Sequence, residues 1–382
     1  MGARQHFDVM VIGAGVFGAW TAHFLQRSGA QVLLVDAFGP GNSRSSSGGE
    51  SRVIRRGYGA DEIYTRLAQH SMWLWRSFFE QRGLEHFKQS GVLWLAREGD
   101  MYSTRMLSVL AATGVRFEKL ERADLERRYP QIGFGPITWG IIEIDSGVLL
   151  ARYAVQAVVA DAVKCGVSYL TDSINSPTGA FTTLTTRTGR RFSADSFIFA
   201  CGPWLPNLFP DLLRNLIHIT RQEVFFFGVP PGDDRFSFQK MPVLIDFEEL
   251  VYCIPDLEGR GFKFAIDAHG PTFDPDSGDR VVASAGVKAV RQKLARLIPA
   301  LGKAPILETR VCQYENTSSG DFLIDRHPDF PNVWLVGGGS GHGFKHGPAV
   351  GEYVASLIKG NAEVEPRFTL ATKIAVHQRK VF

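Results

Sequence analysis

Apolar residues fill positions 7–12 almost without a break and then stop at glycine, the pattern of a strand buried on both faces. Over 16–28, Phe17, Trp20, Thr21, Phe24 and Leu25 recur at helical spacing, and Gly29 ends the run. Residues 31–35 are apolar again and close on Asp36. Strand, glycine turn, helix and strand within roughly 30 residues predict a βαβ unit. Further helices are predicted at 61–83, 102–112, 123–129 and 149–166, with strands at 91–96 and 167–170. A hairpin over 183–187 and 191–193 leads into an apolar strand at 196–200, which ends at Cys201-Gly202-Pro203.

The pattern changes between 221 and 267. Short strands at 224–229, 243–246, 250–254 and 262–266 are separated by Pro, Gly and Asp turns, as in an antiparallel sheet. A helix at 288–298, a buried strand at 333–336, a glycine run at 337–343 and a helix at 348–358 follow. The predicted fold class is therefore α/β, in two domains. A discontinuous Rossmann-like domain takes 1–85, 150–220 and 321–382, and an antiparallel-sheet substrate domain takes 86–149 and 221–320.

Composition adds exclusions. The chain's 382 residues are too many for one compact core, and 45% hydrophobic with 21% charged residues is ordinary for a globular protein. A net charge of +3 without a Lys/Arg block gives no support to a nucleic-acid partner. The four cysteines, Cys165, Cys201, Cys253 and Cys312, are scattered with no C-x-x-C pair, so no metal site or disulfide scaffold is expected. The stretch before residue 7 lacks the layout of a leader, and no apolar run would span a bilayer. The expectation is a cytoplasmic protein without a membrane partner.

Gly13-Ala14-Gly15-Val16-Phe17-Gly18 fits G-x-G-x-x-G. Gly13 permits the tight turn, Gly15 lets backbone approach a pyrophosphate, and Gly18 packs helix on strand, while the helix N-terminus supplies amide donors. Asp36, about 20 residues on, is placed to bind ribose hydroxyls. This is a dinucleotide site, and at this point either FAD or NAD would serve. The second glycine cluster decides between them. Gly339, Gly341, His342 and Gly343 follow a late buried strand, with Asp325 upstream as a candidate for the ribityl chain. Walls drawn from both ends of the chain suit a long, buried FAD. The Gly/Ser loop at 39–49, with Ser45 as its candidate cofactor contact, runs into the basic segment 51–58 and reads as a cofactor-facing element.

The segments Ser51-Arg52-Val53-Ile54-Arg55-Arg56, Cys312-Gln313-Tyr314, and Asp325 through Gly343-Phe344-Lys345 resemble the monomeric sarcosine oxidase family, within the D-amino-acid oxidase-like flavoproteins. The resemblance covers nearly the whole chain and is most specific at Ser340-Gly341-His342-Gly343-Phe344-Lys345. It implies a flavin attached covalently through Cys312. It implies that Arg55 and Lys345 bind a substrate carboxylate, with Lys345 also near the flavin, and that Arg52 lies near the flavin. Tyr252 and Tyr314 would line the substrate cavity. From its strand alone, Lys263 could equally point to solvent; the resemblance places it over the flavin, activating oxygen. Arg56 reads as a surface arginine.

One position departs from the family. Four residues after Lys263, where sarcosine oxidases carry histidine, stands Asp267. It is suited to binding a cationic substrate group or to pairing with Lys263 or Arg55, and the sequence leaves these open. His269 and His342 are nearby proton-transfer candidates, and His342, in the glycine turn, is expected against the flavin. The implied activity is that of an FAD-dependent amine oxidase acting on the C–N bond of a small secondary or N-alkyl amino acid, giving imine and hydrogen peroxide, with molecular oxygen as co-substrate and a monomeric chain. Two alternatives stand beside it: an amino acid dehydrogenase feeding a quinone or carrier, and the flavin subunit of a heteromeric oxidase.

Overall fold

The computed structural model describes residues 5–175 and 181–376. Residues 1–4, from the stretch read as lacking a leader, and 176–180 and 377–382, assigned above to the Rossmann-like domain, lie outside the described residues. Among the described residues the paired strands form three sheets.

The first sheet has seven strands, with Gln5–Ile12 between Arg191–Phe199 and Val32–Asp36, both parallel to it. Val333–Gly337 adds a further parallel strand beside Arg191–Phe199. The continuous apolar run of the first strand follows from covering on both faces. Val9 and Val11 feed one buried cluster, shared with the helices Val16–Arg27, Ala151–Lys164 and Gly347–Ile358, while Phe7, Met10 and Ile12 feed another. The predicted βαβ unit is present.

The second sheet has eight strands, in the order Ile306–Thr317, Ile217–Phe227, Phe262–Ile266, Val251–Ile254, Val243–Asp246, Val92–Ala96, Trp139–Glu143 and Phe117–Glu121. All neighbours are antiparallel except Val92–Ala96 beside Val243–Asp246. Several features differ from the sequence reading, which had no strands at Phe117–Glu121 or Trp139–Glu143. Ile217–Phe227 is longer than expected, and its partner Ile306–Thr317 was not read as a strand, because Glu308, Arg310 and Glu315 interrupt its apolar positions. A third sheet of three short strands joins Arg52–Ile54, Gly147–Leu149 and Phe87–Lys88, so the helix expected from 149 begins at Ala151. Among the described residues no helix is long and apolar enough to cross a membrane.

The carboxyl ends of the parallel strands, at Ile12, Asp36, Phe199 and Gly337, come out on one edge of the first sheet. That edge is where an open α/β sheet binds its ligand.

Candidate active site

A cavity of about 560 Å³ opens at this edge, lined by Gly13, Gly15, Asp36, Ser45, Cys201 and Cys312 among others, with Gly339, Gly341 and Gly343 on its far wall. Gly13 has φ +104°, and a Cβ there would lie 2.3 Å from the Ala200 carbonyl oxygen. Gly18 does not line the cavity; a Cβ on it would meet Gly13 O at 1.9 Å, so it sets how closely helix Val16–Arg27 sits on the turn. Asp36 Oδ2 accepts from Ala14 N at 2.7 Å, and Ser47 Oγ accepts from Val16 N at 3.0 Å. A glycine turn at a helix N-terminus, on the wall of a long cavity built from early and late segments of the chain, fits FAD.

Asp325 is corrected. It does not line the cavity, because Oδ1 is taken by Arg326 N and Oδ2 by Leu370 N, both at 2.8 Å. The chain beyond residue 366 supplies the partner that holds this carboxylate, a contact that strand pattern cannot foretell.

A second cavity of about 100 Å³ shares Arg52, Cys312, Tyr314, Gly341 and Phe344 with the first, so these residues form the junction between the two. Arg52 donates to Cys312 Sγ at 3.7 Å. Lys263, only 2% exposed, lines the small cavity rather than reaching solvent, its Nζ donating to Ser51 O at 2.9 Å and lying 5.5 Å from the Tyr252 ring centre. Burial, reinforced by neighbouring Arg52, holds the Lys263 ammonium pKa well below the ordinary lysine value.

Arg55 and Lys345 meet in the small cavity. The Arg55 guanidinium lies over Tyr58 at 4.3 Å and over Trp94 at 4.9 Å. Lys345 Nζ donates to Tyr58 OH at 2.8 Å and to His342 O at 2.9 Å. Burial and then Arg55 push the Lys345 pKa well down. Facing them is Asp267, half-buried, whose Oδ1 accepts from Tyr314 OH at 2.6 Å. Burial pushes Asp267 up to about 6, against the opposing pull of Tyr314, Arg55, Lys345 and Lys263. His342 lines this cavity and not the larger one, with Nδ1 3.2 Å from Tyr58 OH and Nε2 3.0 Å from Gly320 O. His269 lines neither cavity, its ring centre 6.5 Å from that of Tyr314.

Arg56 is also corrected. It is 5% exposed, with Nε 3.7 Å from Glu143 Oε2. Glu143, fully buried, accepts from the amides of Arg56 and Gly57, from Trp94 Nε1 and from Ser146 Oγ, and so fixes the segment carrying Arg55. Sequence reasoning missed three residues that shape the site: Glu143, Tyr58 and Glu315. A lone acid inside the apolar run Gly140-Ile141-Ile142-Glu143 was the one available signal for Glu143.

Comparison with known proteins agrees with this geometry. The family model described as FAD dependent oxidoreductase matches residues 8–357. The chain is 29% identical to the peroxisomal sarcosine oxidase of Homo sapiens, over 96% of this chain and 95% of that protein. It is 30% identical to the monomeric sarcosine oxidase of Streptomyces avermitilis, over 94% and 95% respectively. Among solved structures, the L-proline dehydrogenase of P. horikoshii superposes with a TM-score of 0.83 at 21% identity, covering 96% of this chain and 97% of that one.

Proposed function

This chain belongs to the FAD dependent oxidoreductase family, whose general chemistry is FAD-dependent oxidation of amines and amino acids, and we propose that its substrate is a small N-alkyl amino acid. The observation that carries this reading is the small cavity itself, about 100 Å³, lined by the buried Arg55, Lys263 and Lys345 and by the Asp267 carboxylate. The sarcosine oxidases among its relatives support a secondary amine.

The Gly13–Gly18 turn and the Gly339–Gly343 run would hold FAD, which would supply the two-electron acceptor. The remaining work falls to the chain's own side chains. Arg55 and Lys345 destabilise each other, and a substrate carboxylate relieves both through charge-assisted hydrogen bonds. The planar Arg55 fork, stacked on Trp94 and Tyr58, fixes the carboxylate's orientation. Asp267, ionised above about pH 6, orients the substrate ammonium and takes its proton, leaving the amine neutral and reactive. Tyr314 holds that carboxylate in place. Lys263, on the wall of the small cavity, is the charge that favours oxygen reduction to hydrogen peroxide. Cys312, at the junction of the cavities, is the attachment point for the flavin. The imine product leaves and hydrolyses.

The test mixes holoenzyme anaerobically with N-methyl amino acids and with the matching amines lacking the carboxylate, following flavin bleaching. The amino acid bleaches the flavin and the bare amine is slower by about 10–100-fold, a gap that closes in Arg55→Met and Lys345→Met. Equal rates for acid and bare amine reject the clamp. Admitting air then yields peroxide; a reduced enzyme that waits for an added quinone rejects the oxidase branch.

A further inference from the structure

Glu315 is a buried acid that the chemistry above does not use. It sits on Ile306–Thr317, one residue past Tyr314, in the wall of the large cavity, and is 8% exposed. Its Oε1 accepts from Gly339 N at 3.2 Å, while its buried Oε2 has no hydrogen-bond partner. Gly202 and Gly337 would need a Cβ to come within 3.6 Å of it. On the adjoining strand Ile219 pairs with Glu315, between His218 and Thr220. The titratable groups around it are the Cys201 thiol on the turn after Arg191–Phe199, Tyr314 beside it, His218 on the adjoining strand, and Asp36 further along the cavity wall. Among these there is no cation to neutralise a carboxylate, and the Cys201 thiol is itself pushed well up by burial, then by Asp36 and Glu315.

A buried carboxyl oxygen left unpaired is costly, and one facing a ligand rich in negative oxygens is more so if ionised. We infer that Glu315 binds the cofactor as a neutral acid, Oε2–H donating to an oxygen of the bound FAD while Oε1 keeps the Gly339 amide. The inference rests on FAD occupying the large cavity. Burial already pushes the Glu315 carboxyl up to about 7 without any cofactor, and a dinucleotide that accepts its proton holds it higher still. The sign then follows from linkage. Below about pH 7 the acid is protonated with or without cofactor, and binding does not depend on this group. Above that pH, binding takes up a proton, and affinity falls by up to about tenfold per pH unit.

The test uses purified holoenzyme, wild type and Glu315→Gln, which keeps the shape and a donor but cannot ionise. Infrared spectra above pH 7 read the carbonyl band of a protonated carboxylic acid, and the rise of flavin fluorescence on heating marks the temperature at which the fold opens around the flavin, attached or not, recorded across the same pH range. The expected result is an acid band in wild type that is missing in E315Q, with a release temperature that falls with alkaline pH in wild type relative to the variant. Glu315→Thr, which also donates without ionising, gives the same comparison where E315Q accumulates poorly. Absence of an E315Q-sensitive band, or parallel release profiles, overturns the inference while leaving FAD binding intact. A colourless wild-type protein overturns the FAD reading along with it.

Discussion

Tyr314 donates its phenolic hydrogen to Asp267 across 2.6 Å, and both side chains line the cavity that holds Arg55 and Lys345. The pairing fixes the carboxylate's direction, and burial, against the pull of Tyr314, pushes its pKa up to about 6, inside the range where enzymes work.

The first prediction concerns that carboxylate. The ionised form is the one that accepts the substrate's proton, so kcat/KM rises with pH through about 6. Asp267→Asn removes this acidic limb and lowers kcat/KM by about 10²–10⁴. Steady-state profiles of both proteins decide it, and an unchanged limb in the variant would assign the titration to another group.

Lys263→Met slows reoxidation of the reduced enzyme by air by about 10²–10³, the range found for one lost oxyanion donor, and leaves anaerobic reduction by substrate unchanged. Because burial lowers the lysine's pKa, its charge is lost as pH rises, and wild-type oxygen reactivity declines at lower pH than a surface lysine would allow. Stopped-flow traces of each half-reaction separate the two effects. Equal reoxidation rates would remove Lys263 from the oxygen step.

Cys312 lies at the junction of the cavities, with Arg52 donating to its sulfur. Acid precipitation of the wild type leaves yellow flavin in the pellet, and Cys312→Ala releases it to the supernatant. Release from the wild type as well would show a flavin held by non-covalent contacts alone.

Glu143→Ala destabilises the protein by about 3–5 kcal/mol, since it strands two buried backbone amides and leaves the buried Arg56 charge with Asp145 alone, 3.9 Å away. A chemical denaturation midpoint measures it. A loss under about 1 kcal/mol would mean that the segment holds itself without the acid.

How much of this was legible in the sequence depends on the range of the forces involved. The βαβ turn could be read because a strand covered on both faces must be apolar throughout, and because Gly13 and Gly18 answer to neighbours in the same unit. Arg55, Lys345 and Cys312 stood out by motif, and the structure gathers them around one pair of cavities. Arg56 was misread because its partner Glu143 lies 87 residues away. Asp325 was misread because a partner 45 residues away takes its second oxygen. Glu315 escaped because the half-buried Glu308 and Arg310 precede it on Ile306–Thr317, and a charge in such a run reads as solvated until the next strand is known.

The walls of the large cavity begin at Ile12 and finish at Phe344. During synthesis the glycine turn leaves the ribosome early, yet the strand with Cys312 and the later glycine run emerge only about 300 residues afterwards. The apoprotein must therefore close its most distant contacts before any flavin can be captured, and the cofactor acts as a late staple that stabilises only the finished chain. Riboflavin-starved cells should accumulate a folded but easily unfolded apoprotein, and cofactor supply would then govern how much of this protein survives.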